Sequence, residues 1–151
     1  MAGYSGTPLP RKLGIKEGCL LRLDGAPDAW GAGWPESQEP LPVGVRVRST
    51  PVGPKADVML AFFVESRRLK RRFSVLKKKI KDDGALWIAW PKKAARVESD
   101  LDGNVVREIG LERGMVDVKV CAVDETWSGL KFVYRLVDRP PPGRGSRRQP
   151  K

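Results

Sequence analysis

Asp124 and Glu125 stand side by side in a short polar turn, and two neighbouring carboxylates at a strand end have the chemistry to bind a cation or exchange protons. Adjacent side chains at a strand end usually diverge, which counts against both roles. Lys92 and Lys93 follow Pro91 at the end of one apolar run, and Asp24 and Gly25 close another. Together with Trp127 these residues fall at predicted strand ends. Asp24, Gly25, Lys92, Lys93, Asp124, Glu125 and Trp127 are therefore the candidate rim for a polar or anionic small molecule, although strand ends are also simply where turns and exposed polar residues fall. The chain has no histidine. That removes Ser-His-Asp and Cys-His nucleophiles, histidine bases and nearly all catalytic zinc sites, and leaves carboxylate, lysine or thiolate chemistry open. Cys19 and Cys121 lack Cys-x-x-Cys spacing and sit in apolar runs, so buried free thiols are expected, with no metal site and no cofactor.

The elements that position these residues follow from periodicity. Cys19 to Leu23 reads as a first strand closed by Asp24-Gly25-Ala26-Pro27, after a turn-rich lead-in in which Arg11 to Ile15 allows at most one helical turn. Asp28 to Gly44 reads as a loop anchored by Trp30 and Trp34, and Val45 to Arg48 as a short alternating strand. Val58 to Val64 and Ala85 to Trp90 are continuous apolar runs, hence adjacent parallel strands buried on both faces. Trp87 and Trp90 lie three apart and so face opposite sides of the sheet, as core residues under two helix-covered faces.

Between those strands Leu69, Phe73, Leu76 and Ile80 share one face of a helix predicted over Ser66 to Lys81, with Gly84 as its stop. Leu101, Val105 and Ile109 predict a second helix capped by Ser99 or Asp100. Met115 to Val123 and Leu130 to Val137 read as an antiparallel hairpin. The expected fold class is α/β: a mixed, mostly parallel, Rossmann-like sheet with a C-terminal antiparallel hairpin. Residues 1–137 form one domain in this reading, and 138–151 a disordered basic tail rich in Pro, Gly and Arg.

The formal charge of +11 is unevenly placed. Glu65 to Lys81 holds a net +8 and Arg139 to Lys151 a net +5, so the remainder is mildly acidic. Arg67, Arg68, Lys70, Arg71, Lys78, Lys79 and Lys81 are thus candidates for docking a polyanion, either nucleic acid or an acidic protein, helped by the tail. A solvated helix face whose stems cover apolar surface explains the same charges. No apolar stretch is long enough to span a bilayer, and a cytoplasmic location without membrane contact is expected.

Gly14 to Gly18 leading into the first strand, Asp24-Gly25-Ala26-Pro27, and then strand, helix, strand, helix and hairpin make residues 13–137 similar to an abridged class I methyltransferase. That resemblance implies a glycine-rich cofactor turn after the first strand and an acidic residue ending the second. The matching positions here hold Gly25-Ala26-Pro27-Asp28 and Arg48-Ser49-Thr50. The segments Tyr4 to Leu9, Trp87 to Lys93 and Val118 to Lys131 also resemble the bacterial family called domain of unknown function 3052. Three functions follow as expectations: a non-catalytic binding or regulatory module on a degenerate Rossmann-like scaffold, a divergent S-adenosylmethionine-dependent methyltransferase, or a nucleic-acid-binding protein using the basic helix.

Overall fold

The computed structural model describes residues 6–31, 33–50 and 52–135. In chain order these form α1 (Leu9–Leu13), β1 (Leu20–Asp24), a 3-10 turn at Asp28–Trp30, β2 (Arg46–Arg48) and β3 (Ala56–Phe62). Next come α2 (Ser66–Lys77), β4 (Ile80–Pro91), a 3-10 turn at Lys93–Ala95, α3 (Gly103–Glu112), β5 (Met115–Ala122) and β6 (Trp127–Tyr134). The six strands make one sheet in the order β2-β1-β3-β4-β6-β5. Only β6 runs against its neighbours, so the fold is α/β with a mostly parallel sheet and a terminal antiparallel hairpin.

The continuous apolar runs occupy the centre because both faces there are covered. Met59 and Ala61 of β3, with Leu86, Ile88 and Trp90 of β4, join the core under α2 and α3. Val58, Leu60 and Phe62, with Ala85, Trp87 and Ala89, join the core on the other face. Trp87 and Trp90 thus point to opposite sides, as their spacing requires. The second face is not covered by long helices, contrary to expectation. It is closed by α1 and the segment that follows β1: Leu9, Leu13, Ile15 and Trp30 are buried in it, and the Trp87 indole N–H donates to the Leu13 carbonyl at 3.1 Å. The predicted lead-in is therefore part of the core.

The helix predicted over Ser66 to Lys81 ends at Lys77. Leu69, Phe73 and Leu76 are its buried stripe, whereas Ile80 opens β4, pairing with Ala56. Gly84 is not a helix stop. It lies where β4 bulges against β3, and a Cβ there would meet the Asp57 carbonyl at 2.9 Å. Asp102, rather than Ser99 or Asp100, caps α3 by accepting from the Val105 N–H at 2.9 Å. Asp100 instead caps α2, accepting from the Ser66 N–H at 2.7 Å and the Ser66 hydroxyl at 2.8 Å, which lowers its carboxyl pKa. Ser99 donates to the Val64 carbonyl. Thus the turn after β4 closes the start of the helix before β4, a link 34 residues long in sequence.

Strand ends shift as well. β6 starts at Trp127 rather than Leu130, leaving a shorter hairpin turn. Cys19 and Cys121 are free but only half-buried. Arg22 is the unexpected interior residue: it is 3% exposed and its guanidinium donates to the carbonyls of Thr50, Val52 (3.0 Å) and Pro54 (2.9 Å), pinning the loop after β2 to the sheet. The expected tail at 138–151 lies outside the described residues. Among those residues no helix is long and apolar enough to cross a membrane.

Candidate functional site

Strand β1 lies between β2 and β3, so the chain leaves it on one side and returns on the other. In an open parallel sheet that reversal opens a crevice beyond the carboxyl ends of the two strands that flank it, here β1 and β3 at Asp24 and Phe62, where a nucleotide would sit. The residues at that point are already engaged. The Asp24 carboxylate accepts from Arg72 of α2 at 3.2 Å, with both side chains about a third exposed. Gly25 has φ +68, and a Cβ on it would lie 3.1 Å from the Phe62 carbonyl, so its lack of a side chain serves the turn itself.

The next element is the three-residue turn Asp28–Trp30, with no α-helix N-terminus to receive a phosphate. β2 ends in exposed Arg48, Ser49 and Thr50, with no carboxylate for ribose hydroxyls. Trp30 is buried edge-on against Phe62 at 5.0 Å and Trp34 at 5.5 Å, and Phe62 is edge-on against Trp127 at 5.1 Å. These aromatic contacts occupy the end of β3. The residues present do not fit a nucleoside cofactor bound as in a dinucleotide fold.

The other rim candidates divide into two groups. Asp124 is a structural anchor: Oδ1 accepts from the Thr126 and Trp127 N–H groups at 2.8 Å each, and Oδ2 accepts from the Trp30 indole at 3.2 Å. Glu125 is exposed at the tip of the same turn, so the two carboxylates have different surroundings and do not act as a pair. Among the described residues no three of Cys, Asp and Glu are placed to hold a metal ion. Lys92 leaves β4, half-buried, and its N–H donates to the Thr126 carbonyl at 2.8 Å; Lys93 is exposed. Trp127 is core.

Beside this rim lies a groove of about 540 Å³ between the start of α1, the loop at Ser37–Glu39 and the hairpin turn. Thr7, Lys12, Gln38, Glu39, Glu125 and Thr126 supply its polar lining, and Asp124 also borders it, whereas Asp24, Gly25, Lys92, Lys93 and Trp127 do not. Its walls are tied together: Lys12 donates to the Ala122 carbonyl at 3.3 Å and Gln38 to the Val123 carbonyl at 3.0 Å. Lys12 and Gln38 were not singled out from sequence. Their contacts join residues 110 and 85 positions apart, for which no local spacing gives a signal.

The polyanion candidates are also split. Arg67, Arg68, Lys70 and Arg71 are exposed on α2, and Lys78 is exposed at its C-terminal cap. Lys79 is half-buried in the turn that follows, and Lys81 is in β4, paired with Asp57 at 2.9 Å. Neither is on the helix.

No family model and no curated protein matches the sequence. Solved structures do match the fold. Ribosomal protein L11 methylase from Lactobacillus delbrueckii subsp. bulgaricus aligns with a TM-score of 0.51 at 11% identity, over 84% of this chain and 75% of that one. The B. subtilis M1A22 tRNA methyltransferase aligns with 0.50 at 12% identity, over 88% and 68%. Magnesium protoporphyrin IX methyltransferase from Synechocystis PCC 6803 with bound SAM aligns with 0.50 at 10% identity, over 84% and 74%. The layout is Rossmann-like, and these methyltransferases are similar to it in fold.

Proposed function

We propose that this chain is a binding module on a methyltransferase-like scaffold, taking a small polar ligand in the groove between α1 and the β5–β6 turn, and not transferring methyl groups. One observation carries the reading: the residues at the topological switch point are consumed by the fold, Asp24 by Arg72 and Gly25 by the close approach of the Phe62 carbonyl. The groove's volume is in the usual range for small-molecule sites, and its lining offers both charges and hydroxyls. The segments Tyr4 to Leu9 and Val118 to Lys131 support placing the chain with the domain of unknown function 3052 family, as a proposal on sequence resemblance alone.

A second reading, an S-adenosylmethionine-dependent methyltransferase with an unfamiliar cofactor site, is favoured by the similarity of the fold to solved methyltransferases. Calorimetric and thermal-shift titration with S-adenosylmethionine and S-adenosylhomocysteine separates the two. The binding-module reading expects no heat and no rise in thermal midpoint at about 1 mM of either, which is less than about 4 kcal/mol of affinity. Saturable binding at micromolar concentration establishes the second reading and removes the first.

A further inference from the structure

The hairpin register puts Lys119 of β5 directly opposite Lys131 of β6, and Lys131 opposite Trp87 of β4. Cross-strand partners share a face, so both lysines stand on the side of the sheet that carries α1. Directly opposed side chains on antiparallel strands have Cβ atoms about 4.5–5.5 Å apart, and like charges there repel. No ion pair or side-chain hydrogen bond among the described residues neutralises Lys119 or Lys131. The next cross-strand pair on this face is Cys121 with Gly129, which has no side chain.

More cations converge from outside the hairpin. Burial lowers the pKa of the Lys131 ammonium, and Lys119 and Lys16 push it the same way. Burial raises the Cys121 thiol pKa, against the pull of Lys12, Lys119 and Lys92. Of these, Lys12 reaches the hairpin itself, its ammonium donating to the Ala122 carbonyl at 3.3 Å. Asp24, Asp57, Glu112 and Asp117 are each paired with a cation other than Lys119 or Lys131.

We propose that this pair is an anion site for a small phosphate-bearing molecule whose oxygens bridge Lys119 and Lys131. A multiply charged group with several acceptor oxygens can accept from ammonium donors on both strands and turn their repulsion into binding. Strand pairing fixes the two backbone positions opposite each other, whereas the cations of α2 lie on a separate element. Lys119 and Lys131 do not line the groove, so substituting them tests this site separately from a ligand held there.

The test uses the full chain, titrated with inorganic phosphate and with pyrophosphate by calorimetry and thermal shift, beside Lys131→Gln, Lys119→Gln and Lys78→Gln. Pyrophosphate is expected to raise the wild-type midpoint saturably, with phosphate alone weaker if a chain of phosphates is preferred. Lys131→Gln and Lys119→Gln should each weaken binding about tenfold, the loss of one charge-assisted contact. Their ligand-free midpoints should equal or exceed wild type, because a like-charge contact is gone. Lys78→Gln, on the other side of the sheet, should bind as wild type does. If one hairpin variant does not fold, the other still decides. Unchanged affinity in a folded hairpin variant overturns the proposal. So does the absence of saturation below about 10 mM, weaker than about 3 kcal/mol, and so does retention of duplex DNA without any pyrophosphate binding.

Discussion

Replacing Gly110 by alanine tests the packing that holds α3 to the sheet. Gly110 sits where α3 meets β6, and an added Cβ would lie 2.1 Å from Phe132 Cε1, 2.5 Å from Cζ and 2.7 Å from Cδ1. A comfortable carbon–carbon contact is about 3.5–4.0 Å, so either the helix moves outward by more than an ångström or the ring leaves its place. The ring has little room, because Phe132 is fully buried with its edge against Phe73 at 5.2 Å. Helix propensity acts in the other direction and favours alanine by about 1 kcal/mol. Overpacking a tight core costs about 1–3 kcal/mol, and contacts this short belong at the upper end. The net expectation is a loss of about 2 kcal/mol, or about 4–8 °C in thermal midpoint for a domain of this size. Scanning calorimetry and urea unfolding should both show it. Shortening the opposing ring, as Gly110→Ala with Phe132→Leu, should remove most of the coupling between the two sites, so that the double variant is more stable than the sum of the single losses predicts. A Gly110→Ala midpoint at or above wild type refutes the reasoning, since propensity would then outweigh packing.

Two further expectations follow from charges. Asp100→Asn should destabilise the fold at neutral pH by loosening the start of α2, and because the folded carboxyl has a lowered pKa, the stabilisation is complete above the ordinary carboxylate range and is lost as pH falls through the folded value. The gap in midpoint between wild type and variant, followed from pH 7 into the acid range, should narrow; a constant gap contradicts the charge-assisted cap. If a nucleic acid docks on α2, its phosphates meet the exposed Arg67, Arg68, Lys70 and Arg71, and the log–log salt slope on duplex DNA steepens by about 0.9 for each one neutralised. Arg68→Glu, Arg71→Glu and Lys78→Glu combined should then abolish filter retention at low salt with the midpoint near wild type, whereas no retention of wild type by any duplex or single strand eliminates that role.

Periodicity alone located β3, α2 and β4, because a buried parallel strand must be apolar throughout and the helix between two such strands needs one apolar stripe. Leu69, Phe73 and Leu76 show that stripe without reference to any partner. Ile80 continues the same spacing but belongs to β4, since its place depends on pairing with Ala56, which helical periodicity does not encode. Asp24, Asp124 and Trp127 were legible as strand-end residues by the same token, although what they do there was not.

Only tertiary structure decided those roles. Arg72 reaches Asp24 from α2, Trp30 donates to Asp124 from 94 residues away, and Asp100 caps a helix that starts 34 residues before it. Each is a polar group whose partner is chosen by proximity after folding, while local sequence offers several equivalent choices. The opposed lysines at 119 and 131 are the same case: either is an unremarkable surface cation in the chain, and only the hairpin register, with its shift between Asp117 and Lys119, puts them face to face.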